Sequence, residues 1–219
     1  MGKTVALVHA TPLAVEPIND AFRELYPDCV VKNILDDSLL VDLQENNGEI
    51  TAELRERLAT LVKYGEDSGA DAVLLTCSSY SPCASDFQDL ISVPFFRADD
   101  ALLETAIDNG STVGLIATVP SAVETATREL EALAKSRGTR IVVVGSLCEE
   151  AFIALKRGDG EAHDLAVVAS VMELVDQVDV IALAQYSIAR VMSRIPKTVA
   201  EKVISSPHAG VQRLKKVLE

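Results

Sequence analysis

The sequence lacks any long hydrophobic run. Its longest apolar stretches, such as Ala72–Leu75 and Ile141–Val144, are far shorter than the roughly 20 residues that a membrane-spanning helix needs. The stretch Thr4–Val8 is apolar, but no small-residue cleavage site typical of a signal peptide follows it. We therefore expect Thr4–Val8 to form a first strand, and we expect the protein to be cytoplasmic.

Basic residues are scarce as well. The chain has 20 Lys and Arg residues against 33 Asp and Glu residues, which gives a formal net charge of −13. A chain this acidic repels nucleic acid and anionic membrane surfaces. We therefore expect neither as a partner, whereas a locally positive pocket still allows an anionic small-molecule substrate. A homo-oligomeric assembly is left open.

Motifs for metals, disulfides and nucleotides are missing. No cysteine pair has C-x-x-C spacing and the histidines are scattered, so we expect no metal site and, in a reducing compartment, no disulfide. Neither G-x-G-x-x-G nor a P-loop occurs, so nucleotide binding ranks last among the functions considered. A functional cysteine must therefore be distinguished by its position alone. The cysteines are Cys29, Cys77, Cys83 and Cys148, and the histidines are His9, His163 and His208.

The sequence does contain a regular alternation of short apolar runs and longer amphipathic runs. Its 219 residues are 48% hydrophobic, which is enough for one or two substantial cores. Alternating strands and helices predict an α/β protein with parallel sheets and right-handed crossovers. The predicted strands are Thr4–Ala10, Cys29–Leu35, Asp71–Cys77, Val93–Arg97, Thr112–Thr118, Arg140–Gly145, Asp179–Gln185 and Val203–Ser206.

The chain also repeats itself at an offset of 108 residues (112 minus 4). The peptide Thr4–Glu16 matches Thr112–Glu124, and the same offset carries Asp71 onto Asp179 without a gap. Several matches at one register favour a duplication over two similar units that share their spacing by coincidence. The repeat predicts two lobes related by a pseudo-twofold axis, each with a four-stranded parallel sheet flanked by helices.

The predicted first lobe comprises residues 1–98 plus 208–219, and the second comprises residues 99–207. Ligands of open parallel sheets bind beyond the carboxyl ends of the strands. If two such ends face each other, they form a cleft. We therefore expect the active site in a cleft between the lobes.

Cys77 ends the third predicted strand, where an apolar run breaks into the small hydroxyl residues Ser78 and Ser79. Such a break is typical of a strand that turns into a binding loop. If a helix begins at Ser78 or Ser79, its N–H groups favour a thiolate and a bound carboxylate. A thiolate at this place can act as a nucleophile or a base. The alternative is a buried cysteine that merely ends a strand.

Four segments carry a resemblance to a known family. Gly69–Ser79 resembles the first cysteine motif of the aspartate/glutamate/hydantoin racemase superfamily, and Val113–Thr118 resembles the strand that opens its second lobe. Val178–Leu183 is similar to the strand before the family's second cysteine, and Val203–Pro207 fits the stretch before its last helix. This resemblance implies the two-lobe fold, a C-terminal helix that packs on the first lobe, and a site that uses no cofactor.

The resemblance also implies a reaction on a small carboxylate-containing substrate. In the family, one cysteine removes a proton from the carbon next to a carboxylate, and the other cysteine gives a proton to the opposite face. Such a site needs donors that hold the carboxylate and stabilise the developing charge. Ser78, Ser79, Thr118 and Ser121 are candidates for this task. Plain helix capping is the alternative, since Ser121-x-x-Glu124 has the form of a capping box.

The sequence departs from the family at the second cysteine. Cys77 plus 108 is position 185, which is Gln185. A glutamine side chain can hydrogen-bond a carboxylate or carbonyl but cannot exchange a proton. The leading hypothesis is an isomerase or racemase-like enzyme that uses Cys77. The alternatives are a lyase or decarboxylase that protonates from one side, and a carboxylate-binding protein that has lost catalysis.

Two further residues are weaker candidates. His9 ends the first predicted strand and has a suitable pKa for the missing acid/base role, although a core or rim histidine is the default interpretation. Tyr186 is a candidate to bind substrate or simply to pack. Cys83 and Cys148 are interpreted as small core residues, and His208 as a capping or exposed residue at the last helix.

Overall fold

The computed structural model describes residues 2–97 and 99–219, except for the side chain of Ser121. The chain divides into two compact units. The first comprises Met1–Ala98 and Gly210–Glu219, and the second comprises Asp99–Ala209.

In its described residues up to 97, the first unit contains four strands, four α-helices and two 3-10 helices. Its elements are β1 Thr4–His9, a 3-10 helix Pro12–Ala14, α1 Val15–Leu25, β2 Val30–Leu35, α2 Ser38–Glu45, α3 Ala52–Asp67, β3 Ala72–Leu75, a 3-10 helix Ser78–Cys83, α4 Ser85–Gln88 and β4 Phe95–Phe96.

The remaining elements follow the same alternation. They are α5 Asp100–Asn109, β5 Thr112–Ala117, α6 Pro120–Ser136, β6 Val142–Leu147, α7 Glu149–Lys156, α8 Gly160–Leu174, β7 Val180–Leu183, a 3-10 helix Tyr186–Arg194, a 3-10 helix Ala200–Lys202, β8 Val203–Ser205 and α9 Ser206–Leu218. From Gly210 onward α9 belongs to the first unit, where Lys215 Nζ donates to the carbonyl of Leu25 at 3.2 Å.

Each unit contains one four-stranded sheet in which every pair is parallel. The strand orders are β2-β1-β3-β4 and β6-β5-β7-β8. The predicted α/β fold with two four-stranded parallel sheets is therefore confirmed. The central strands are continuous apolar segments because helices cover both faces of a parallel sheet, whereas the edge strands β2 and β6 are partly exposed.

The repeat extends to strand register. Val5 pairs with Ala72 and Val113 pairs with Val180, and both residues of the second pair lie 108 positions after those of the first (113 minus 5, 180 minus 72). The edge strands β2 and β6 depart from this offset, because β6 begins 112 residues after β2 (142 minus 30). The extra residues lie in the longer helix α6, so the predicted strand Arg140–Gly145 was placed too early.

Helix caps and apolar faces explain the long helices. The hydroxyl of Thr51 accepts from the N–H of Leu54 at 3.2 Å and begins α3, whose Leu58 and Val62 are buried. The Asp159 carboxylate accepts from the N–H of Ala162 at 3.0 Å and begins α8 in the same way. No helix among the described residues is long and apolar enough to span a bilayer.

One carboxylate in each unit holds the start of the first strand. Asp71 Oδ2 accepts from the N–H of Thr4 at 2.8 Å, and Asp179 Oδ2 accepts from the N–H of Thr112 at 2.8 Å and from that of Ser111 at 2.9 Å. A Cβ atom at Gly110 would lie 2.4 Å from the Cβ of Asp179, so only glycine leaves room for this contact. The Gly-Ala-Asp motif therefore has a structural role in the first unit, with an equivalent in the second.

We predict that Asp179→Asn lowers the melting temperature. The hydrogen bonds from the backbone of Thr112 and Ser111 hold the pKa of Asp179 below its usual 3.8. The stability that this carboxylate contributes is therefore present above that value and is lost as the pH falls through the lower folded-state pKa. In thermal melts, the melting temperature of Asp179→Asn should lie below that of the wild type at neutral pH, and this difference should shrink in acid. Asp176→Asn, the same charge change three residues earlier, is the control, and an equal difference there would contradict the prediction.

Candidate functional site

Cys77 lies just beyond the carboxyl end of the central strand β3. Its backbone is extended (φ −118°, ψ 109°) and it caps the 3-10 helix Ser78–Cys83, as expected for a strand that turns directly into a helix. The Cys77 side chain packs at the margin of the first unit's core and is 7% exposed, while Ser78 is half-buried and Ser79 is exposed. A thiol and two hydroxyl side chains therefore meet at this edge of the sheet.

The other cysteines have structural surroundings. The thiol of Cys83 is 1% exposed and donates to the carbonyl of Tyr80 at 3.2 Å, and burial raises its pKa. Burial likewise raises the pKa of Cys29 to about 11. Cys148 is buried among apolar residues of the second unit. Because their pKa values are raised, the thiols of Cys29 and Cys83 stay protonated at neutral pH and are poor nucleophiles.

His9 is completely buried, and both of its ring nitrogens have partners. Nδ1 lies 2.8 Å from Thr76 Oγ1, and Nε2 lies 2.9 Å from Asn33 Oδ1. Burial lowers the pKa of His9 below 6.5, although the contact with Asn33 opposes this shift. A neutral ring satisfies both contacts when Nε2–H donates to Asn33 and the Thr76 hydroxyl donates to Nδ1 in place of the Val8 carbonyl, which lies 3.2 Å from Thr76 Oγ1. This geometry favours the core-histidine interpretation over an acid/base role.

Gln185 and Thr118 are joined in the second unit. Gln185 follows β7 and Thr118 follows the neighbouring strand β5. The Gln185 carbonyl oxygen Oε1 accepts from the Thr118 backbone N–H at 2.6 Å and from the Thr118 hydroxyl at 3.0 Å. Two residues that were predicted to bind substrate therefore bind each other. The Gln185 oxygen accepts both hydrogen bonds that Thr118 would otherwise offer to a carboxylate oxygen.

Gln185 occupies the position in its sheet that Cys77 occupies in the other. Each residue lies two positions beyond the last residue of its strand, Leu183 in β7 and Leu75 in β3. Each is extended and begins a 3-10 helix. The structural repeat therefore preserves the position while the side chain changes from a thiol to a carboxamide.

The predicted capping box at Ser121 is wrong. Helix α6 begins at Pro120 and is capped by Val119 without a side-chain hydrogen bond, so Ser121 is already the second helical residue. Proline fits the first helical position because its fixed φ suits a helix and no N–H is needed there. The side chain of Ser121 lies outside the described residues, and its predicted role in substrate binding stays a prediction.

Tyr186 is buried directly after Gln185. Burial, with a smaller contribution from the charge of Asp99, raises the pKa of its phenol well above 10. The hydroxyl therefore keeps its proton and can serve only as a neutral hydrogen-bonding group. A substrate-binding role for Tyr186 stays a prediction.

A polar cluster at the end of β8 was missed by sequence reasoning. Ser205 Oγ lies 2.8 Å from His208 Nδ1, and the Ser206 hydroxyl contacts Asp99 Oδ1 at 3.0 Å. The sequence offered only the Val-Ile-Ser-Ser-Pro stretch as a signal, since the contact with Asp99 joins residues 107 positions apart. Within the described part of the chain, no group of three or more His, Cys, Asp or Glu side chains could hold a metal ion.

Several solved racemase structures share the fold of this chain at low sequence identity. Allantoin racemase from Klebsiella pneumoniae matches with a TM-score of 0.75 and 14% identity, covering 99% of this chain and 88% of its own. An aspartate racemase homologue from Pyrococcus horikoshii OT3 matches with a TM-score of 0.71 and 16% identity, covering 99% of each chain. Glutamate racemase from Francisella tularensis, in complex with D-glutamate, matches with a TM-score of 0.70 and 18% identity, covering 99% of this chain and 81% of its own.

Sequence comparison gives the family. A comparison with curated protein sequences finds no significant match. The model of the Asp/Glu/hydantoin racemase family, however, matches residues 8–214, which is nearly the whole chain. With the two parallel sheets and the shared fold of racemases, this match shows that the chain belongs to the Asp/Glu/hydantoin racemase family.

Proposed function

We propose that this protein is a cofactor-independent isomerase or racemase-like enzyme that moves a proton at carbon next to a carboxylate or related carbonyl. Membership of a racemase family supports an isomerase type of activity. The observation that carries the proposal is the place of Cys77, just beyond the carboxyl end of a central parallel strand. Ligands of parallel sheets bind at this edge.

Cys77 is the proposed acid/base residue. Cys77 is itself buried, but its 7% exposure exceeds the 1% of Cys83 and the 3% of Cys148. Ser78 and Ser79, half-buried and exposed beside it, are the proposed ligands of the substrate carboxylate. A carbanion next to a carboxylate is stabilised when fixed hydrogen-bond donors face the carboxylate oxygens on which negative charge develops.

Gln185 is the reason to expect proton transfer from one face of the substrate only. Its carboxamide cannot transfer a proton, and its oxygen is already held by Thr118. A reaction that uses Cys77 alone protonates from one side. This observation favours the alternative of a lyase or decarboxylase, in which a leaving group departs and one face receives the proton.

The substrate class is a small carboxylate or related carbonyl compound, with amino acids or their derivatives first. The Francisella tularensis glutamate racemase structure contains D-glutamate. Aspartate, glutamate, hydantoins, malonates and hydroxy acids all present an acidic C–H bond next to such a group, and they form the panel for testing.

A non-catalytic carboxylate-binding protein is the rival function. The Thr118–Gln185 contact favours it, because donors that are already satisfied need not face a reacting group. Iodoacetamide labelling distinguishes the two functions. Fast labelling of Cys77 that a panel compound slows supports a reactive thiolate at the binding site, whereas slow labelling despite binding supports the rival.

We predict that Cys77→Ser lowers α-proton exchange by at least about 10²-fold, which is the scale of general acid/base catalysis. The measurement is deuterium incorporation from heavy water into the panel compounds. Cys29→Ser is the matched control, because that thiol has a pKa near 11 and should stay uninvolved. An unchanged rate in Cys77→Ser would reject the proposed mechanism.

Gln185→Cys should gain an activity. The wild-type protein should exchange one enantiomer of a bound acid without inversion, because only Cys77 transfers protons. A cysteine at 185 restores the second thiol where the family has it, so both enantiomers should exchange and invert. Chiral chromatography measures the inversion, and Gln185→Ala controls for the lost contact with Thr118. Rapid racemisation by wild type and by Gln185→Ala alike would show that another group supplies the second proton.

His9→Gln should leave any inversion unchanged and alter the pH dependence of stability. Burial lowers the pKa of His9 in the folded state below 6.5, so below that pH the unfolded state binds the extra proton. The stability that the neutral ring contributes is therefore lost as the pH falls through 6.5 towards the lower folded-state pKa of His9. His9→Gln should lose less over the same range in thermal melts, because all other titratable groups are shared. Loss of inversion in this variant would instead assign His9 the second proton transfer.

A further inference from the structure

A buried carboxylate joins α8 to the 3-10 helix Tyr186–Arg194 in the second unit. The Asp164 side chain is 3% exposed and lies 2.9 Å from His163 Nδ1, 2.9 Å from Arg190 Nε and 3.2 Å from Arg194 Nε. Both arginines belong to the 3-10 helix, whereas Asp164 and His163 lie in α8. One carboxylate therefore holds two points of the segment that begins at Gln185.

His163 helps to fix the orientation of the Asp164 carboxylate. Its ring is completely buried, and its Nε2 atom has no hydrogen-bond partner among the residues that the structure describes. A buried polar atom without a partner costs stability that an apolar side chain would not cost. Because the Asp164 carboxylate accepts hydrogen bonds, Nδ1 carries the proton. His163 therefore supplies a third donor that fixes the orientation of Asp164.

The charges of the cluster are balanced. Arg190 and Arg194 face Asp164, and Arg194 also contacts Glu161 at 2.7 Å. Loss of the Asp164 charge would leave two neighbouring guanidinium groups opposite a single, exposed carboxylate. Asp164 is the buried member of the cluster, whereas the side chains of Arg190 and Arg194 are 45% and 42% exposed, so loss of its charge would release both guanidinium groups from their shared partner.

The segment that is held has little stability of its own. A 3-10 helix has poor hydrogen-bond geometry and rarely exceeds four residues, yet this one has nine. Gln185 is its N-cap residue, and the Gln185 side chain reaches Thr118. The backbone of Gln185 is therefore fixed by β7 on one side and by the 3-10 helix on the other, where Ile188 and Val191 are buried as well.

The first unit makes the corresponding connection without a buried carboxylate. Under the offset of 108, Arg55 aligns with His163 and Asp86 with Arg194 (163 minus 55, 194 minus 86). Arg55 and Asp86 form an ion pair whose side chains are 43% and 55% exposed. At these aligned positions the first unit therefore has an exposed ion pair, whereas the carboxylate of Asp164 in the second unit is buried.

We propose that Asp164 is a positioning residue that holds the Gln185 carboxamide on Thr118 through Arg190 and Arg194. Whether the placement of the Gln185 carboxamide matters for function rests on the proposed function and on the predicted role of Gln185 in substrate binding. The positioning itself is a property of the folded chain and can be measured without any substrate.

The backbone amide of Thr118 is the reporter, because its N–H is held by the Gln185 side chain. In Asp164→Asn, hydrogen exchange measured by NMR should become at least about tenfold faster for the Thr118 amide and for the amides of residues 186–194. The Thr112 amide, held by Asp179 in the same unit, should keep its wild-type rate. Where an exchangeable substrate is found, its KM should rise more than kcat falls.

Two further variants keep the test decisive if Asp164→Asn does not fold. Arg190→Gln removes one half-exposed partner and should accelerate the same amides to a smaller extent. Arg55→Gln breaks the exposed pair of the first unit and should leave Thr118 unchanged. Unchanged exchange at Thr118 in the Asp164 and Arg190 variants overturns the proposal. Equal acceleration of Thr112 and Thr118 also overturns it, because that pattern belongs to general stabilisation. Failure of the proposed reaction is detected separately, because the α-proton exchange of the panel compounds would then not depend on Cys77.

Discussion

Parallel pairing between two central strands is the constraint on which both candidate edges depend. β1 pairs with β3 and β5 pairs with β7 in the same register. In each unit the chain must leave the sheet at the same height, and the second residue beyond the strand end is Cys77 in one unit and Gln185 in the other. Their equivalence therefore follows from backbone hydrogen bonding, before any side-chain chemistry is considered.

The two edges differ in how their polar groups are satisfied. In the first unit a thiol stands beside the hydroxyls of Ser78 and Ser79. In the second, the Gln185 oxygen satisfies the donors of Thr118, and a buried ionic network fixes the helix that follows. One edge keeps a group able to exchange protons, whereas the other has become a fixed hydrogen-bonded structure. This asymmetry underlies the proposal of one-sided chemistry.

The two buried histidines, His9 and His163, show how burial and hydrogen-bond partners decide the role of a histidine. His9 and His163 are both completely buried, and each bonds a polar side chain through Nδ1. Desolvation favours the neutral ring of His9, whereas His163 serves a neighbouring carboxylate. Sequence position at the end of a strand suggested an acid/base role for His9, but its contacts with Thr76 and Asn33 join residues 67 and 24 positions apart and are invisible in the local sequence.

The sequence by itself determined the alternation of strands and helices, the repeat, and the place of Cys77 after a buried strand. These features depend on local apolar periodicity and on turn residues, which neighbouring positions specify. Only the tertiary structure decided that β6 begins late, that Pro120 rather than Ser121 opens α6, and that Gln185 binds Thr118 while Asp164 holds Arg190 and Arg194. Such contacts join distant residues whose partners are chosen by strand register and burial. A residue's type fixes which hydrogen bonds it can make, and the fold fixes which of them it does make.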